Sequence, residues 1–188
     1  RNCLLVMINK GLFEWLKELP KFEPFMATTA LSDRPLEEAY DTELALRFIL
    51  LAQIPERDIK SIGDVGIFLT DKMTEIAQDK KFKRAPAKKL FEETFAVLNE
   101  CLEDNAFRRY SGKKARHEGG FLLSLFEVVA LGVAFNLANG TLCAKAQIAD
   151  RARSAWKEKA FTDWATSGVN ASRRLPRLIP YGRKLFSK

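Results

Sequence analysis

The chain has 188 residues, 47% of them hydrophobic and 29% charged, with Gly 10 and Pro 7. That is material for the core of one domain, and it excludes collagen-like, low-complexity and wholly disordered classes. Three cysteines, an odd and small number, exclude a disulfide-built scaffold, and Lys+Arg 31 against Asp+Glu 24 gives a net charge of +7 that favours polyanion partners, nucleic acid before anionic membrane.

In chain order, the first residue is Arg1 rather than Met, so the chain is expected to be trimmed or the downstream piece of a longer protein. Cys3–Ile8 is apolar but lacks a small-residue cleavage site and runs directly into an amphipathic segment, which makes it a poor signal peptide. Leu12, Trp15, Leu16 and Leu19 recur at helical spacing up to Pro20, and Thr28–Pro35 reads as a loop. Asp41 is expected to cap a helix bearing Leu44, Leu46, Phe48, Ile49 and Leu51, ended by Pro55. Asp64 caps the next, with Val65, Phe68, Leu69, Met73 and Ile76 on one side. Ala85–Pro86 opens another that turns Leu90, Phe91, Phe95, Leu98, Cys101 and Leu102 inward. Phe121–Ala138 is the most apolar stretch. Ser124, Glu127 and Asn136 interrupt it, so it reads as a central buried helix stopped by Gly140 rather than a membrane span. Thr141 is expected to cap a helix with Ile148, Ala149, Ala152 and Trp156. A short turn at Phe161–Ala165 follows, then a segment from Ser172 that Pro176 and Pro180 interrupt. No run of alternating β-branched residues is present. The expected fold is all-α, a compact bundle of about six to eight helices around a central apolar helix, in a single domain spanning 1–188.

Motifs of common chemistry are missing. The sequence contains no GxxxxGK[ST], GxGxxG or GxSxG, and no CxxC pair. Cys3, Cys101 and Cys143 lie far apart, the last two among apolar neighbours, and read as reduced thiols, buried in the case of Cys101 and Cys143. His117, the single histidine, falls in the polar stretch Ser111–Gly120 and reads as solvated. Glu37, Glu38, Asp41 and Glu43, the pair Glu92–Glu93 and the pair Glu103–Asp104 could hold a divalent ion for nuclease work. They read more simply as solvent-facing acids at helix starts, which suit the macrodipole. No metal and no cofactor is expected in this chain.

The basic residues cluster. Lys80, Lys81, Lys83 and Arg84, with Lys88 and Lys89, surround a predicted helix start. Arg108, Arg109, Lys113, Lys114 and Arg116 fill one loop around Tyr110. Arg173, Arg174 and Arg177 open an acid-free C-terminal stretch. Such groups could hold phosphates without reading bases, as a positively charged clamp.

Arg1–Asn2–Cys3, an amphipathic helix to Phe25, then Arg34 with Asp41-Thr42-Glu43-Leu44-Ala45-Leu46-Arg47-Phe48, resembles the GmrSD-type restriction endonuclease family. That family carries a ParB/sulfiredoxin-like domain upstream and was long catalogued as a domain of unknown function. Phe107–Arg108–Arg109, the Phe126–Glu127 pair within Leu122–Leu131, and the tail Ser172–Gly182 follow in the family's order. The family's DGQQR nuclease motif has no counterpart, since no Asp-Gly pair occurs in the sequence.

The resemblance therefore implies the downstream helical part of a nucleotide-dependent DNA nuclease of bacterial phage defence, without catalytic residues of its own. DNA and the N-terminal nuclease half are its expected partners, self-association is a further option, and the expected setting is the cytoplasm, away from membrane. Arg47 is expected to pair with an acid across the interface to that missing half. The alternative is a helical protein–protein interaction module that binds no nucleic acid and uses Cys3–Ile8 as an interface.

Overall fold

Helical periodicity governs the chain from its first turn. In the computed structural model, which describes residues 1–165 and 168–188, helix α1 runs Asn2–Glu18 and buries Leu5, Leu12 and Leu16. It bends at Asn9 (φ −153°, ψ 85°). There the Asn9 side chain accepts from the Leu12 amide (2.9 Å) and donates to the Ala77 carbonyl (2.9 Å), so it caps the second half and ties the bend to its neighbour. Pro20 turns the chain through Leu19–Lys21, and α2 (Glu23–Thr29) follows.

The stretch 28–35 read as loop is largely helical, because α2 extends to Thr29 and a short α3 covers Asp33–Glu37. Helix α4 (Tyr40–Leu51) starts at a left-handed Ala39 (φ 54°), two residues before the expected cap Asp41. Asp41 is thus already inside the first turn, where its carboxylate accepts from the Thr42 amide (2.6 Å) instead of capping the helix. A short α5 (Glu56–Lys60) leads to α6 (Val65–Gln78), capped as expected by Asp64, which accepts from the Ile67 amide (2.9 Å).

The longest helix, α7 (Arg84–Leu102), buries Phe91, Phe95, Leu98 and Leu102. Phe91 and Phe95 meet Phe25 and Phe48 in a cluster of edge-on and tilted rings 4.6–5.4 Å apart.

After α7 comes an element that periodicity does not announce. Strands β1 (Arg109–Ser111) and β2 (Arg116–Glu118) pair antiparallel, Tyr110 opposite His117. Three-residue strands without β-branched side chains fall below any alternation template. The left-handed Ala115 (φ 52°) closes the turn.

The apolar stretch is buried, yet it is not one regular helix. It divides into α8 (Leu123–Leu125), a π-helical segment (Phe126–Ala130) and α9 (Leu131–Ala138), with Gly140 left-handed (φ 67°) behind it. A π segment inserts an extra residue into the helical turn. Helix α10 (Lys145–Ser154) begins at Ala144, and the Thr141 hydroxyl donates to Asn136 (2.7 Å) rather than capping it. The turn Ala155–Lys157 and α11 (Lys159–Ala165) lead to α12 (Ala171–Leu185), capped by Asn170, which accepts from the Ser172 amide (2.8 Å).

Pro176 and Pro180 lie inside α12 and do not end it. Each removes a backbone bond at a cost of about 3 kcal/mol in an isolated helix. Burial of Leu175, Leu178 and Ile179 against the π segment and α9 outweighs that cost. The two elements touch backbone to backbone: a Cβ on Gly132 would sit 2.5 Å from the Gly182 carbonyl oxygen, and one on Gly182 would overlap the Val128 carbonyl.

The architecture is all-α apart from the hairpin, with more helices than the six to eight expected, because the short α2, α3, α5 and α11 fall below the length at which periodicity shows. The buried side chains form one connected cluster. Among the described residues, no helix is long and apolar enough to cross a membrane.

Candidate nucleic-acid interface

The structure sorts the predicted basic residues by what neutralises them. Arg174 is not a surface cation: its Nε and Nη2 donate to the two carboxylate oxygens of Glu127 at 2.7 and 2.8 Å, with Glu127 1% and the Arg174 side chain 13% exposed. Arg47 Nη1 stands 4.0 Å from the same carboxylate, and Arg47 Nε donates to Glu43 (3.0 Å), which also pairs with Arg1.

The expected bond from Arg47 to a separate half is therefore made within this chain, and Glu43 is a half-buried partner rather than a solvent-facing acid. Burial raises the Glu127 carboxyl above its ordinary range, against the opposing pull of Arg174 and Arg47. This chain of charges rigidifies the junction of α4, the π segment and α12. A polyanion cannot reach Arg174 without breaking it.

On the hairpin, Arg108 donates to Asp104 (3.1 Å) and to the Gly119 carbonyl (2.9 Å), while Lys114 (2.8 Å) and Arg116 (3.1 Å) share Glu118. These pairs are partly exposed and individually weak, and their two carboxylates lower the positive field of three cations without cancelling it. Arg109 and Lys113 have no carboxylate in ion-pair reach among the described residues, and both face a cleft of about 610 Å³.

The cleft is built by three elements. Residues Arg109–Lys113 of the hairpin form one wall, Arg153, Trp156 and Lys157 at the end of α10 form the second, and Thr162 and Ala165 of α11 form the third, over Leu122. Among the described residues, four cations and no carboxylate line it. The Arg109 guanidinium lies 5.7 Å from the Trp156 ring centroid and that of Arg153 lies 5.7 Å from Tyr110, so each charge is held against an aromatic face. Asp150, outside the lining, approaches Arg153 Nη1 at 3.3 Å, while Arg153 Nε is buried without a hydrogen-bond partner.

His117 is a strand residue rather than a solvated loop residue. Half-buried against Tyr110 (5.1 Å between centroids), its imidazole is lowered in pKa by burial first and then by Arg153 and Arg108.

The other clusters stand differently. Lys80, Lys81 and Lys83 are exposed before α7, and Arg84 donates to the Gly11 carbonyl (3.0 Å). Nineteen helical residues separate this group from the hairpin, a distance of roughly 28 Å at about 1.5 Å per residue. The expected clamp is thus not one surface. The C-terminal cluster lies nearer to the cleft: Arg177 rests on Trp164 (5.4 Å to the centroid) of α11, the helix whose Thr162 and Ala165 wall it, and Arg173 is exposed one turn before Arg177.

Sequence reasoning missed Arg153, Trp156 and Lys157. The signal was there in Arg151-Ala-Arg153-Ser-Ala-Trp156-Lys157, a basic stretch interleaved with an aromatic, but Asp150 before it masks the charge. Cys101 is half-buried and donates to the Lys145 carbonyl (3.6 Å), Cys143 is buried, and Cys3 is exposed. Among the described residues no three His, Cys, Asp or Glu side chains gather as a metal site.

No protein family, curated protein or solved structure matches the chain.

Proposed function

We propose that this chain is the helical downstream part of a GmrSD-like DNA nuclease of bacterial phage defence, working in the cytoplasm, which holds DNA phosphates while an N-terminal half performs cleavage. The observation that carries the DNA-binding part is the cleft of Arg109, Lys113, Arg153 and Lys157, a cationic concavity without a lining acid. The ordered sequence resemblance supports the assignment to that kind of nuclease. Phosphates held by Lys and Arg release counterions, so affinity falls with salt by about 0.9 log units per log unit for each contact on duplex DNA. Fluorescence anisotropy of a labelled 20-mer from 50 to 300 mM salt is expected to show this slope. The Arg109→Ala/Lys113→Ala double variant is expected to flatten it by about 2. No binding at 50 mM, or a slope untouched by the double variant, refutes the reading.

A second reading, an interaction module, is favoured by one observation: Leu4, Val6 and Met7 of α1 are exposed, Met7 at 83%. Under that reading the chain binds no DNA at 50 mM salt, and Met7→Glu abolishes self-association or partner capture measured by light scattering.

A further inference from the structure

We propose that the cleft between the hairpin and the α10–α11 corner takes an unpaired nucleotide, with its base stacked at the cation–aromatic pairs and its phosphate held by Lys113 and Lys157. The proposal rests on the nucleic-acid reading above and specifies which form of the polymer the site accepts.

The shape argues first. A volume of about 610 Å³ falls in the range of about 300–1,000 Å³ typical of sites for single small molecules. A duplex presents a convex, ridged surface to a protein and cannot enter a concavity of that size. One nucleotide turned out of a stack, or carried by a single strand, can.

The lining argues second. A duplex-phosphate surface needs only charge, whereas proteins that grip single strands combine a basic groove with flat aromatic or guanidinium platforms. Here both are present and interleaved: Arg109 on Trp156, Arg153 on Tyr110, each 5.7 Å from centroid to guanidinium carbon. The unpaired Nε–H of Arg153 is a donor that is buried and unused among the described residues. Leu122 supplies an apolar floor, and Ser111 and Thr162 supply hydroxyls at the walls.

The distribution of charge argues third. The three cations at the hairpin that do not line the cleft are paired, Arg108 with Asp104 and Lys114 and Arg116 with a shared Glu118, while the two that line it have no carboxylate partner among the described residues. The uncompensated positive charge is therefore weighted towards the cleft.

The test compares 5′-labelled dT12 with a blunt hairpin duplex of equal phosphate count at 100 mM salt, using the whole chain. Single-strand binding at least 10-fold tighter than duplex binding is expected, with quenching of tryptophan emission on titration with dT12. Tyr110→Ala is expected to weaken dT12 about 10-fold while leaving the duplex affinity and the salt slope nearly unchanged, since it removes stacking and no phosphate contact.

Because Trp156 packs on Phe161 (4.9 Å), Trp156→Phe is the conservative partner variant. It keeps the fold and is expected to remove the quenching. Competition by free dTMP in the millimolar range would point to a mononucleotide pocket, and its absence to a strand site; either outcome retains the unpaired nucleotide as the ligand. Equal affinity for both DNAs, with neither variant selective for the single strand, overturns the inference and leaves DNA binding standing. Binding of neither DNA removes both.

Discussion

Glu127 carries a carboxylate into the interior, and Arg174 and Arg47 answer it from two other helices. Breaking a buried pair from one side leaves an uncompensated charge, which costs about 3–5 kcal/mol. Arg174→Ala is therefore expected to lose that much at pH 8 in urea denaturation. Burial already raises the folded carboxyl above its unfolded value, so between those two values the folded state binds more protons than the unfolded one. Stability from this group falls as pH rises through that window. Without Arg174 the folded value rises further, and the variant is expected to regain part of its loss on acidification towards pH 5. A loss that is the same at pH 5 and pH 8 contradicts the buried-carboxylate account.

The close approach at Gly182 makes a second prediction at this scale. An added methyl has no room against Val128, and overpacking of this kind costs about 1–3 kcal/mol. Gly182→Ala is expected to lower the midpoint of urea denaturation by that amount without changing its slope. An unchanged midpoint would mean that α12 can move away from the π segment.

Elements were legible where one local rule governed them. Asp64 before Val65, Phe68, Leu69 and Met73 named a cap and a face, and the structure has both. Asp64→Ala is expected to cost about 1 kcal/mol of thermal or chemical stability. Rules failed where two competed. Proline stops a helix that has only its own hydrogen bonds, but α12 is held by Leu175, Leu178 and Ile179 against a partner. Pro180 is exposed, so Pro180→Ala restores a backbone donor without disturbing the core. It is expected to stabilise the chain by up to about 3 kcal/mol, read as a raised melting temperature. The hairpin failed for the opposite reason. Its strands are too short to show a period, and what fixes their register is a turn at Ala115 and the Tyr110–His117 pair, both visible only after pairing.

Across the whole molecule, position decides which cations act together. The Lys80–Arg84 group and the hairpin sit at opposite ends of α7, so a ligand engaged at the cleft feels the former only through a screened field. Lys80→Ala/Lys81→Ala/Lys83→Ala is expected to leave the salt slope of dT12 binding within about 0.5 of the unaltered chain, unlike Lys113→Ala/Lys157→Ala, which removes two phosphate contacts. Equal flattening by both variants would show that the polymer spans α7 and that the site is larger than the cleft.

Composition, helical spacing and the capping residues determined by themselves that this chain is helical, which faces are apolar, and that its excess charge is positive. Those properties belong to single residues and their near neighbours along the chain. Only the tertiary structure decided that Arg174 is spent on Glu127, and that Arg109 and Lys113 meet Arg153 and Lys157 around two aromatic rings. A side chain's usable charge depends on what lies within a few ångströms of it, and for Arg174 and the cleft residues those neighbours come from segments tens of residues away.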